Sequence, residues 1–299
     1  MTRVLVTGAS GFIGSALVAA LAEKGIAVRG TYRSTLPRPC GVEAVEVGDI
    51  GAKTDWRDEL ADVDAVVHLA GPAHARHAEP VLNAAIVDAT SVLAAQAAAA
   101  GVSRFIYMSS IKAVADRTTA PISEDAEPAP ADAYGRAKLK AERAVLAHAS
   151  LRPVLLRPPL VYGAKAKANF RRLIEIADTS WPLPLGGLGN ARSLISLDTL
   201  VACVQAVLAN GAGPAGVFHL ADRPALSTSE IVAALRRGLG RSHGLFRAPV
   251  LAALAPRQLT QSLSVDDARF RHAYGYAGLS DCSSVELLEL AARDWKARQ

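Results

Sequence analysis

Length, composition and charge already limit what this chain can be. Its 299 residues are 51% hydrophobic but only 5% aromatic, so a large α/β core would be built from Ala, Val, Leu and Ile. The net charge of +5 comes from dispersed basic residues with no Lys/Arg block among aromatic side chains, which argues against nucleic-acid binding. A mildly basic balance fits a solvated surface or a site for an anionic ligand.

Cysteine and histidine positions argue against disulfides and metals. Cys40, Cys203 and Cys282 are far apart, which is typical of a reducing compartment without a disulfide framework or structural zinc. His74 and His77 have a spacing that metal ligands use, but no acidic or cysteine partner lies close by in the sequence. We therefore interpret them as surface residues and predict no metal site.

The apolar segments predict a cytoplasmic protein that does not enter the membrane. The first strand is expected to begin at Arg3, which leaves no room for a signal peptide. The Ala-rich stretch from Ala84 to Gly101 is interrupted by Asp88 and Gln96. No uninterrupted apolar run approaches the length of a bilayer crossing.

The first predicted element is a strand that runs into a glycine-spaced turn. Val4–Thr7 is largely apolar and is followed by Gly8, Gly11 and Gly14. Gly8 permits a tight turn, Gly11 lets backbone N–H groups approach a pyrophosphate, and Gly14 lets the next helix pack closely on the sheet. An ordinary strand–helix turn is the alternative, but the position at the start of an Ala- and Val-rich chain favours a dinucleotide site.

Strands and helices then alternate through the first half of the chain. Each predicted strand is short and apolar on both faces, and the alternation predicts a Rossmann-type, doubly wound parallel sheet of the α/β class. Cofactor and substrate would then lie at the carboxyl ends of the strands. The predicted strands are Val4–Thr7, Val28–Tyr32, Ala44–Val47, Ala65–Leu69, Arg104–Met108 and Val154–Leu156, and the predicted helices are Gly14–Lys24, Val81–Ala100 and Ala133–Ala149.

The regular alternation loosens after Gly163. A stretch rich in Pro and Gly, residues 182–189, predicts a loop. We therefore predict a dinucleotide-binding domain over residues 1–163 and a smaller C-terminal substrate lobe over residues 164–299, with some elements returning to the main sheet. The predicted elements of this lobe are helices near Asp198–Asn210 and Ser229–Gly238, a segment Ser264–Gly275 and a last helix at Ser284–Arg298.

Two side chains one helical turn apart are candidates for proton transfer. Tyr134 and Lys138 lie on the same face of a predicted helix. A cationic neighbour favours the phenolate, so we expect the pKa of Tyr134 to fall toward neutrality. A phenol tuned in this way can protonate a carbonyl oxygen or deprotonate an alcohol while a nicotinamide carries the hydride. The alternative is an exposed helix pair without a chemical role.

Ser109 and Ser110 add weight to this pair. Both directly follow a predicted strand, so a hydroxyl group would lie at the carboxyl end of the sheet, where it can hydrogen-bond the reacting oxygen. The alternative for either serine is a helix or turn cap.

These motifs together resemble one family. The chain is similar over nearly its whole length to the extended short-chain dehydrogenases/reductases of the nucleotide-sugar epimerase/dehydratase kind. Ser110 to Lys112 and Pro182 to Gly186 look most like bacterial UDP-sugar 4-epimerases and 4-ketoreductases of surface-polysaccharide synthesis. The motifs that carry the resemblance are Thr7–Gly14 (TGASGFIG), Gly48–Ile50 (GDI), His68–Gly71 (HLAG), Met108–Ser110 (MSS), Tyr134 with Lys138, and Arg157–Gly163 (RPPLVYG).

The resemblance implies a role for each matching position. Asp49 and Ile50 would contact the adenine, Leu69, Ala70 and Gly71 would border the dinucleotide, and the segment from Pro158 to Leu160 would flank the nicotinamide. Lys138 would also hold the nicotinamide ribose. The implied catalytic residues are Ser110, Tyr134 and Lys138.

The end of the second predicted strand bears on the choice of cofactor. It reads Gly30-Thr31-Tyr32-Arg33 and lacks the carboxylate that would bond a ribose 2′-hydroxyl and repel a 2′-phosphate, whereas an arginine attracts that phosphate. We predict NADP(H) in preference to NAD(H); a solvated Arg33 with weak selectivity is the alternative. The predicted cofactor-binding residues are Gly8, Gly11, Phe12, Ile13, Gly14, Arg33, Asp49, Ile50, Leu69, Ala70, Gly71, Tyr134, Lys138 and Pro158.

Two departures from the family pattern narrow the chemistry. Sugar 4,6-dehydratases of this family carry a glutamate or an acid pair where this chain has Ile111 and Lys112, so dehydration is not expected. Lys112 would either contact the substrate or point to solvent. Ile86 stands where the family has an asparagine, which removes a polar helix contact near the active site.

Two residues of the C-terminal half resemble those with which family members hold a nucleotide-sugar diphosphate. They are Asn169 and Arg192, and an arginine fork gives a pyrophosphate bidentate, charge-assisted bonds. The alternatives are a helix N-cap for Asn169 and a structural salt bridge of Arg192, for example with Asp198. The predicted substrate-binding residues are Ser110, Lys112, Asn169 and Arg192.

The sequence therefore predicts an oxidoreductase acting at C4 of a nucleotide-linked hexose, by NADPH-dependent reduction of a UDP-4-keto sugar. A UDP-sugar 4-epimerase with retained NAD, acting on UDP-glucose and UDP-galactose or their N-acetyl forms, uses the same residues. A third possibility is a catalytically idle NADP-binding regulatory module, although such proteins commonly lack the Tyr/Lys pair. The family implies a homodimer, formed through the helices predicted at Val81–Ala100 and Ala133–Ala149.

Overall fold

A computed structural model describes residues 3–34, 41–72, 77–166, 168–248, 256–275 and 282–299. Cys40 and His74, discussed above, lie outside these ranges. The described chain contains a seven-stranded sheet in which every strand pairing is parallel. The predicted Rossmann-type α/β fold is confirmed.

The first half of the chain supplies six strands of this sheet and the helices between them. In chain order the elements are β1 (Arg3–Thr7), α1 (Phe12–Glu23), β2 (Ala27–Tyr32), β3 (Val42–Glu46), β4 (Ala65–His68), α2 (Glu79–Leu82), a π-helical segment (Asn83–Asp88), α3 (Ala89–Ala99), β5 (Arg104–Met108), a 3₁₀ turn (Ile111–Ala113), α4 (Ala133–Leu146), a second 3₁₀ turn (Ala149–Leu151) and β6 (Val154–Arg157).

The second half adds shorter strands and more helices. These are β7 (Leu160–Tyr162), α5 (Ala168–Ala177), β8 (Leu183–Gly186), β9 (Leu194–Ser196), α6 (Leu197–Ala209), β10 (Gly216–His219), α7 (Thr228–Gly238), β11 (Leu245–Arg247), α8 (Arg257–Thr260), α9 (Ala268–Tyr274) and α10 (Ser284–Lys296). Strand β10 pairs with β6 at the edge of the main sheet, whereas β7 pairs with β9 and β8 with β11 in two small sheets.

The order of the strands places the ligand cleft. It is β10-β6-β5-β4-β1-β2-β3, so the chain moves outward from β1 to β3 and then crosses back to β4 on the other side of β1. The connections therefore diverge between the carboxyl ends of β1 and β4. Open α/β sheets bind their ligands at such a switch point.

Alternation along each strand explains why both faces of the sheet are covered. On β1, Val4 and Val6 pack with Leu17 and Leu21 of α1, while Leu5 packs on the opposite face. The first face is completed by α6 and the second by α3 and α4. A strand buried on both sides reads as a continuous apolar run, as it does in this sequence.

Several element boundaries differ from the sequence predictions. The helix predicted at Val81–Ala100 begins at Glu79, ends at Ala99 and contains the π-helical segment, which the helical periodicity did not indicate. The stretch 182–189, predicted as a loop, contains strand β8, because Leu183 and Leu185 turn their side chains into a hydrophobic cluster with α5, α7 and α10. Helix α4 ends at Leu146 rather than Ala149.

Part of the chain after residue 163 belongs to the main sheet and its helical layers. Helix α6 packs on α1, and β10 extends the main sheet through the pairing of Val217 with Leu155. Helices α7 and α10 begin with capping boxes, at Ser227 with Glu230 and at Ser283 with Glu286, which fix where each helix starts. The division at residue 163 stays a prediction.

One helical run within the described residues is long and apolar enough, by length and composition, to cross a membrane. It comprises Glu79–Ala99. In this fold its buried residues, among them Leu82, Ile86 and Leu93, pack in the core on one face of the sheet.

Candidate active site

The glycine turn after β1 brings backbone close to backbone. Gly8 adopts a φ of +67°, and a Cβ on Gly14 would lie 2.1 Å from the Gly8 carbonyl oxygen. Gly11 is the N-cap of α1 and supplies no side-chain bond to the first turn. The turn therefore offers the N-terminus of α1 and a surface without side chains, which fits a dinucleotide pyrophosphate.

The loop after β4 forms the other wall of the cleft. A Cβ on Gly8 would lie 3.0 Å from the backbone of Ala70, so the two loops are in contact. Leu69 and Ala70 therefore border the glycine turn, and the prediction that Leu69, Ala70 and Gly71 border a dinucleotide stays a prediction. Phe12 and Ile13 begin α1 on the same side, and the Phe12 ring lies against Gly163.

A buried hydrogen-bond chain fixes this loop. The Thr7 Oγ1 atom lies 3.2 Å from the backbone nitrogens of both Leu69 and Ala70 and accepts from them, and it lies 2.7 Å from the His68 Nδ1 atom. The hydroxyl therefore donates its proton to Nδ1, and the opposite ring nitrogen, Nε2, donates to the Thr90 hydroxyl at 3.0 Å. Burial lowers the pKa of His68 to about 3, with the Lys138 charge acting in the same direction, so the ring is neutral.

The predicted adenosine end of the cleft carries an exposed ion pair. The Arg33 Nε atom after β2 lies 2.9 Å from the Asp49 Oδ1 atom after β3, and both side chains are more than three-quarters exposed. Ile50 is half-buried against the core. The sequence predicts that Arg33 either meets a 2′-phosphate or is solvated, whereas in the structure a carboxylate from the neighbouring strand end pairs with it.

The predicted catalytic residues meet at the carboxyl end of β5. Ser110 lies two residues after the end of that strand, and a hydrogen bond from its side chain lowers the pKa of the Tyr134 phenol on the first turn of α4. The Ser110 side chain also accepts from the Lys112 backbone nitrogen, so the predicted turn cap is present as well. A Cβ on Gly135 would lie 2.2 Å from the Lys112 carbonyl oxygen, so a glycine after Tyr134 lets α4 approach this close.

Lys138 lies one turn further along α4 and is buried. Its Nζ atom donates to the Met108 carbonyl oxygen at 2.8 Å and lies 5.9 Å from the centre of the Tyr134 ring and 4.7 Å from that of Tyr107. Burial lowers the pKa of Lys138 to about 8, while the nearby Glu142 carboxylate raises it. This amine therefore changes its charge close to neutral pH.

The predicted fall in the pKa of Tyr134 is wrong for this structure. Burial raises the pKa of Tyr134 to about 12, the Asp132 carboxylate adds to the rise, and the hydrogen bond from Ser110 opposes it. The sequence argument weighed the charge of Lys138 alone. Desolvation of the phenolate outweighs it here because the phenol is buried and the ammonium is bound to a carbonyl group.

A buried acid that sequence reasoning missed lies on the same helix face. The Glu142 carboxylate accepts from Ser109 Oγ at 2.5 Å and from Arg157 Nε and Nη2 at 2.8 and 2.6 Å. Ser109 is therefore bound to this acid and does not act as a cap. The spacing of Tyr134, Lys138 and Glu142, four residues apart each time, was the sequence signal that could have revealed it.

Lys112 and Pro158 lie beside the catalytic residues with defined partners. The Lys112 ammonium pairs with Asp116 at 3.1 Å and with the α4 N-cap residue Asp132 at 2.5 Å, so it is held at the protein surface rather than pointing freely to solvent. The Pro158 carbonyl oxygen accepts from the backbone of Ile111 at 3.0 Å. This bond joins the loop after β6 to the loop after β5, next to Ser110.

The two predicted diphosphate-binding residues lie in different settings. Asn169 is exposed and is the second residue of α5, so it is not the N-cap that the alternative required. Arg192 is half-buried, donates to the Gln261 carbonyl oxygen at 2.9 Å, and burial lowers its pKa. Within the described residues, its side chain bonds this carbonyl group and forms no salt bridge with Asp198.

The position where the family has an asparagine is apolar and buried. Ile86 is 1% exposed and lies within the π-helical segment, which packs against α4. A Cβ on Gly71 would lie 3.8 Å from its side chain. Ile86 therefore fills space between α4 and the β4 loop without offering a polar group.

No group of three or more His, Cys, Asp or Glu residues that could hold a metal ion occurs in the described parts of the chain. A glycine turn lies at a sheet switch point, and a serine, a tyrosine and a lysine gather at a neighbouring strand end, which is the arrangement that the resemblance to extended short-chain dehydrogenases/reductases implies. The model of the NAD dependent epimerase/dehydratase family matches residues 4–221. The chain belongs to this family.

Individual relatives agree with that assignment. The chain is 36% identical over 250 residues to a UDP-glucose 4-epimerase of Vibrio cholerae, covering 80% of this chain and 76% of the relative. It is 31% identical over 253 residues to a 2'-dehydrokanamycin reductase of Streptomyces kanamyceticus, covering 80% and 67%. Among solved structures, MoeE5 in complex with UDP-glucose and NAD superposes with a TM-score of 0.82 at 26% identity over 99% of both chains.

Proposed function

We propose that this protein reduces the C4 ketone of a UDP-linked hexose with NADPH. The observation that carries the proposal is the meeting of Ser110, Tyr134 and Lys138 beside the dinucleotide cleft. A bound NADPH supplies the hydride. The chain's own residues then have to hold the ketone and deliver one proton to its oxygen.

Tyr134 is suited to the donor role in this direction. With a pKa of about 12 its phenol is protonated throughout the neutral range, as a proton donor must be. Ser110 bonds the same hydroxyl and can donate to the ketone oxygen, so it orients both groups. After proton transfer, the phenolate lies within reach of the Lys138 charge, which stabilises it.

The substrate's diphosphate is assigned to Arg192 and Asn169. Arg192 is desolvated and has one of its nitrogens on the Gln261 carbonyl oxygen, which orients the guanidinium group. A guanidinium group in such a setting binds a pyrophosphate through charge-assisted bonds. Lys112 is the weakest of the proposed contacts, because Asp116 and Asp132 already hold its ammonium.

NADP(H) is proposed in preference to NAD(H), because the end of β2 has Arg33 and no carboxylate of its own. The ion pair with Asp49 weakens this preference, since that carboxylate already pairs with the Arg33 guanidinium group. A homodimer through the helices around α2–α3 and α4, and a cytoplasmic location, complete the proposal. Val81 and Leu146 are the large exposed apolar residues of those helices.

A UDP-sugar 4-epimerase with retained NAD is the second candidate function. The 36% identity to a UDP-glucose 4-epimerase favours it. An idle regulatory module is disfavoured because Tyr134, Lys138 and Ser110 are all present and gathered in one place.

The test is to supply purified protein with NADPH and a UDP-4-keto hexose and to follow the loss of NADPH absorbance. A reductase consumes one NADPH for each sugar. Interconversion of UDP-glucose and UDP-galactose, or of their N-acetyl forms, without added cofactor would instead establish the epimerase. If the protein shows neither of these activities with any such sugar, both assignments are overturned.

A further inference from the structure

The Glu142 carboxylate joins three elements beneath the candidate active site. It projects from α4, accepts from Ser109 at the end of β5, and forms a two-point pair with Arg157 at the end of β6. Glu142 is 1% exposed and Arg157 is 4% exposed. A buried pair with this geometry fixes the relative position of the elements that carry it.

The hydrogen bonds of the Glu142–Arg157 pair involve residues adjacent to the groups proposed to react. Ser109 directly precedes Ser110, and its backbone nitrogen donates to the Leu156 carbonyl oxygen at 2.8 Å. Lys138, one turn before Glu142 on α4, donates to the carbonyl oxygen of Met108. Residues 108–110 are therefore held from α4 at two points, and Ser110 and Tyr134 are brought together as a result.

We propose that Glu142 is a positioning residue for the reduction, holding the end of β5 against α4 so that Ser110 and Tyr134 share one substrate oxygen, and keeping the Lys138 ammonium charged. This inference rests on the proposed function. Glu142 touches neither substrate nor cofactor in this scheme, so it acts through Ser109, Arg157 and Lys138.

The charged and titratable groups around Lys138 determine the sign of the electrostatic effect. Glu142 and Tyr134 face it from α4, Tyr107 from β5 and the neutral His68 from β4, while Arg157 of β6 faces Glu142. Glu142 raises the pKa of Lys138. Removing its charge therefore lets Lys138 lose its proton at a lower pH.

Three variants separate positioning from a purely structural role. Glu142→Gln keeps the shape but removes the charge, Glu142→Asp keeps the charge on a shorter side chain, and Ser109→Ala removes one bond while leaving the ion pair intact. Because Glu142→Gln leaves Arg157 buried without a counter-charge and can lower stability, Ser109→Ala provides a second, milder test.

We expect kcat to fall about 10- to 100-fold in Glu142→Gln and several-fold in Ser109→Ala, as for small misplacements of reacting groups. The KM for the sugar and the Kd for NADPH should stay within about twofold of the wild-type values, because the variants remove no contact with either bound ligand. The alkaline limb of the kcat profile should move to lower pH in Glu142→Gln and stay near the wild-type position in Glu142→Asp. An unchanged kcat in both Ser109→Ala and folded Glu142→Gln would overturn the inference.

A measurement without substrate keeps this inference distinct from the proposed function. The side-chain ¹⁵N resonance of Lys138, assigned by its loss in Lys138→Met, can be titrated in wild type and in Glu142→Gln. We expect a lower midpoint in the variant, and equal midpoints would refute the electrostatic role of Glu142. Wild-type protein that turns over no UDP-4-keto sugar would refute the proposed function whatever the titration shows.

Discussion

The two sides of the cleft are built by different means. The cofactor side consists of glycine turns and a neutral hydrogen-bond chain. Gly8 and Gly14 allow backbone to touch backbone, and the hydrogen bond from Thr7 to His68 helps to fix the loop after β4. The catalytic side is built from buried charge, with Lys138, Glu142 and Arg157 packed behind the reacting hydroxyl groups. Shape therefore governs one side and electrostatics the other, and the two should respond differently to mutation and pH.

The largest expected effect tests the catalytic side. Tyr134→Phe removes the proposed proton donor, so kcat should fall about 10²- to 10⁴-fold while the Kd for NADPH changes little. Steady-state kinetics and fluorescence titration of NADPH measure the two quantities. Tyr274→Phe is the control, because that hydroxyl is also partly buried but bonds the Pro214 carbonyl oxygen away from the cleft. Equal losses in both variants would remove Tyr134 from the mechanism.

Acid should destabilise the folded protein through His68 on the cofactor side. The unfolded chain takes up a proton on His68 below its ordinary pKa of 6.5, whereas the folded chain resists this until about pH 3. The contribution of His68 to the free energy of unfolding, on the order of a few kcal/mol, is therefore fully present above pH 6.5. It is lost as the pH falls from 6.5 to about 3. Urea unfolding at a series of pH values measures it. His219, whose pKa burial lowers to about 4, acts in the same direction, so His68→Gln should flatten the profile only in part.

Added volume should damage the cofactor side without touching the charges. A methyl group on Gly14 would collide with the Gly8 carbonyl oxygen, so Gly14→Ala should cost about 1–3 kcal/mol of stability and weaken NADPH binding more than it lowers kcat at saturation. Thermal unfolding and NADPH titration check both effects. Gly211→Ala is the matched control, since nothing lies within 4 Å of its Cβ position. A Gly14→Ala protein that binds NADPH normally would contradict the packing argument.

The smallest expected effect concerns cofactor choice. Asp49→Asn frees Arg33 from its exposed ion pair, which is worth no more than ~1 kcal/mol, so the Kd for NADP⁺ should fall about fivefold relative to that for NAD⁺. Arg33→Ala should abolish any preference for NADP⁺. Arg57→Ala, which breaks a comparable exposed pair with Asp55, should change neither affinity. Binding titrations with both dinucleotides decide whether the Arg33–Asp49 pair sets selectivity.

The contrast between the two sides of the cleft also explains which features could be predicted from the sequence. Glycine spacing and short apolar strands are local patterns, so the parallel sheet and the turn at Gly8 were predictable. The strand β8 was not, because its Pro- and Gly-rich sequence favours a loop, whereas its pairing with β11 and its packing against α5, α7 and α10 depend on distant parts of the chain. The π-helical segment at Asn83–Asp88 packs against α4, and the helical periodicity of the sequence does not indicate it.

Electrostatics at the catalytic side depends on burial, which the sequence does not contain. A Tyr-x-x-x-Lys spacing suggested a lowered pKa for Tyr134, but the desolvation that raises it depends on the fold around the phenol. Arg33 pairs with Asp49, 16 positions away, and Lys112 pairs with Asp132, 20 positions away, so neither of these ion pairs could be expected from local spacing. The pair of Lys112 with Asp116, four positions on, is the local one.

Transfer of a labelled hydride tests the central claim most directly. Purified protein would be given NADPH carrying deuterium at the transferable position of the nicotinamide, together with a UDP-4-keto hexose, and the sugar product would be examined by mass spectrometry and NMR. The account predicts one deuterium at C4 and one NADP⁺ formed for each sugar. A 4-keto sugar recovered unreduced, while the NADPH remains unoxidised, would contradict it.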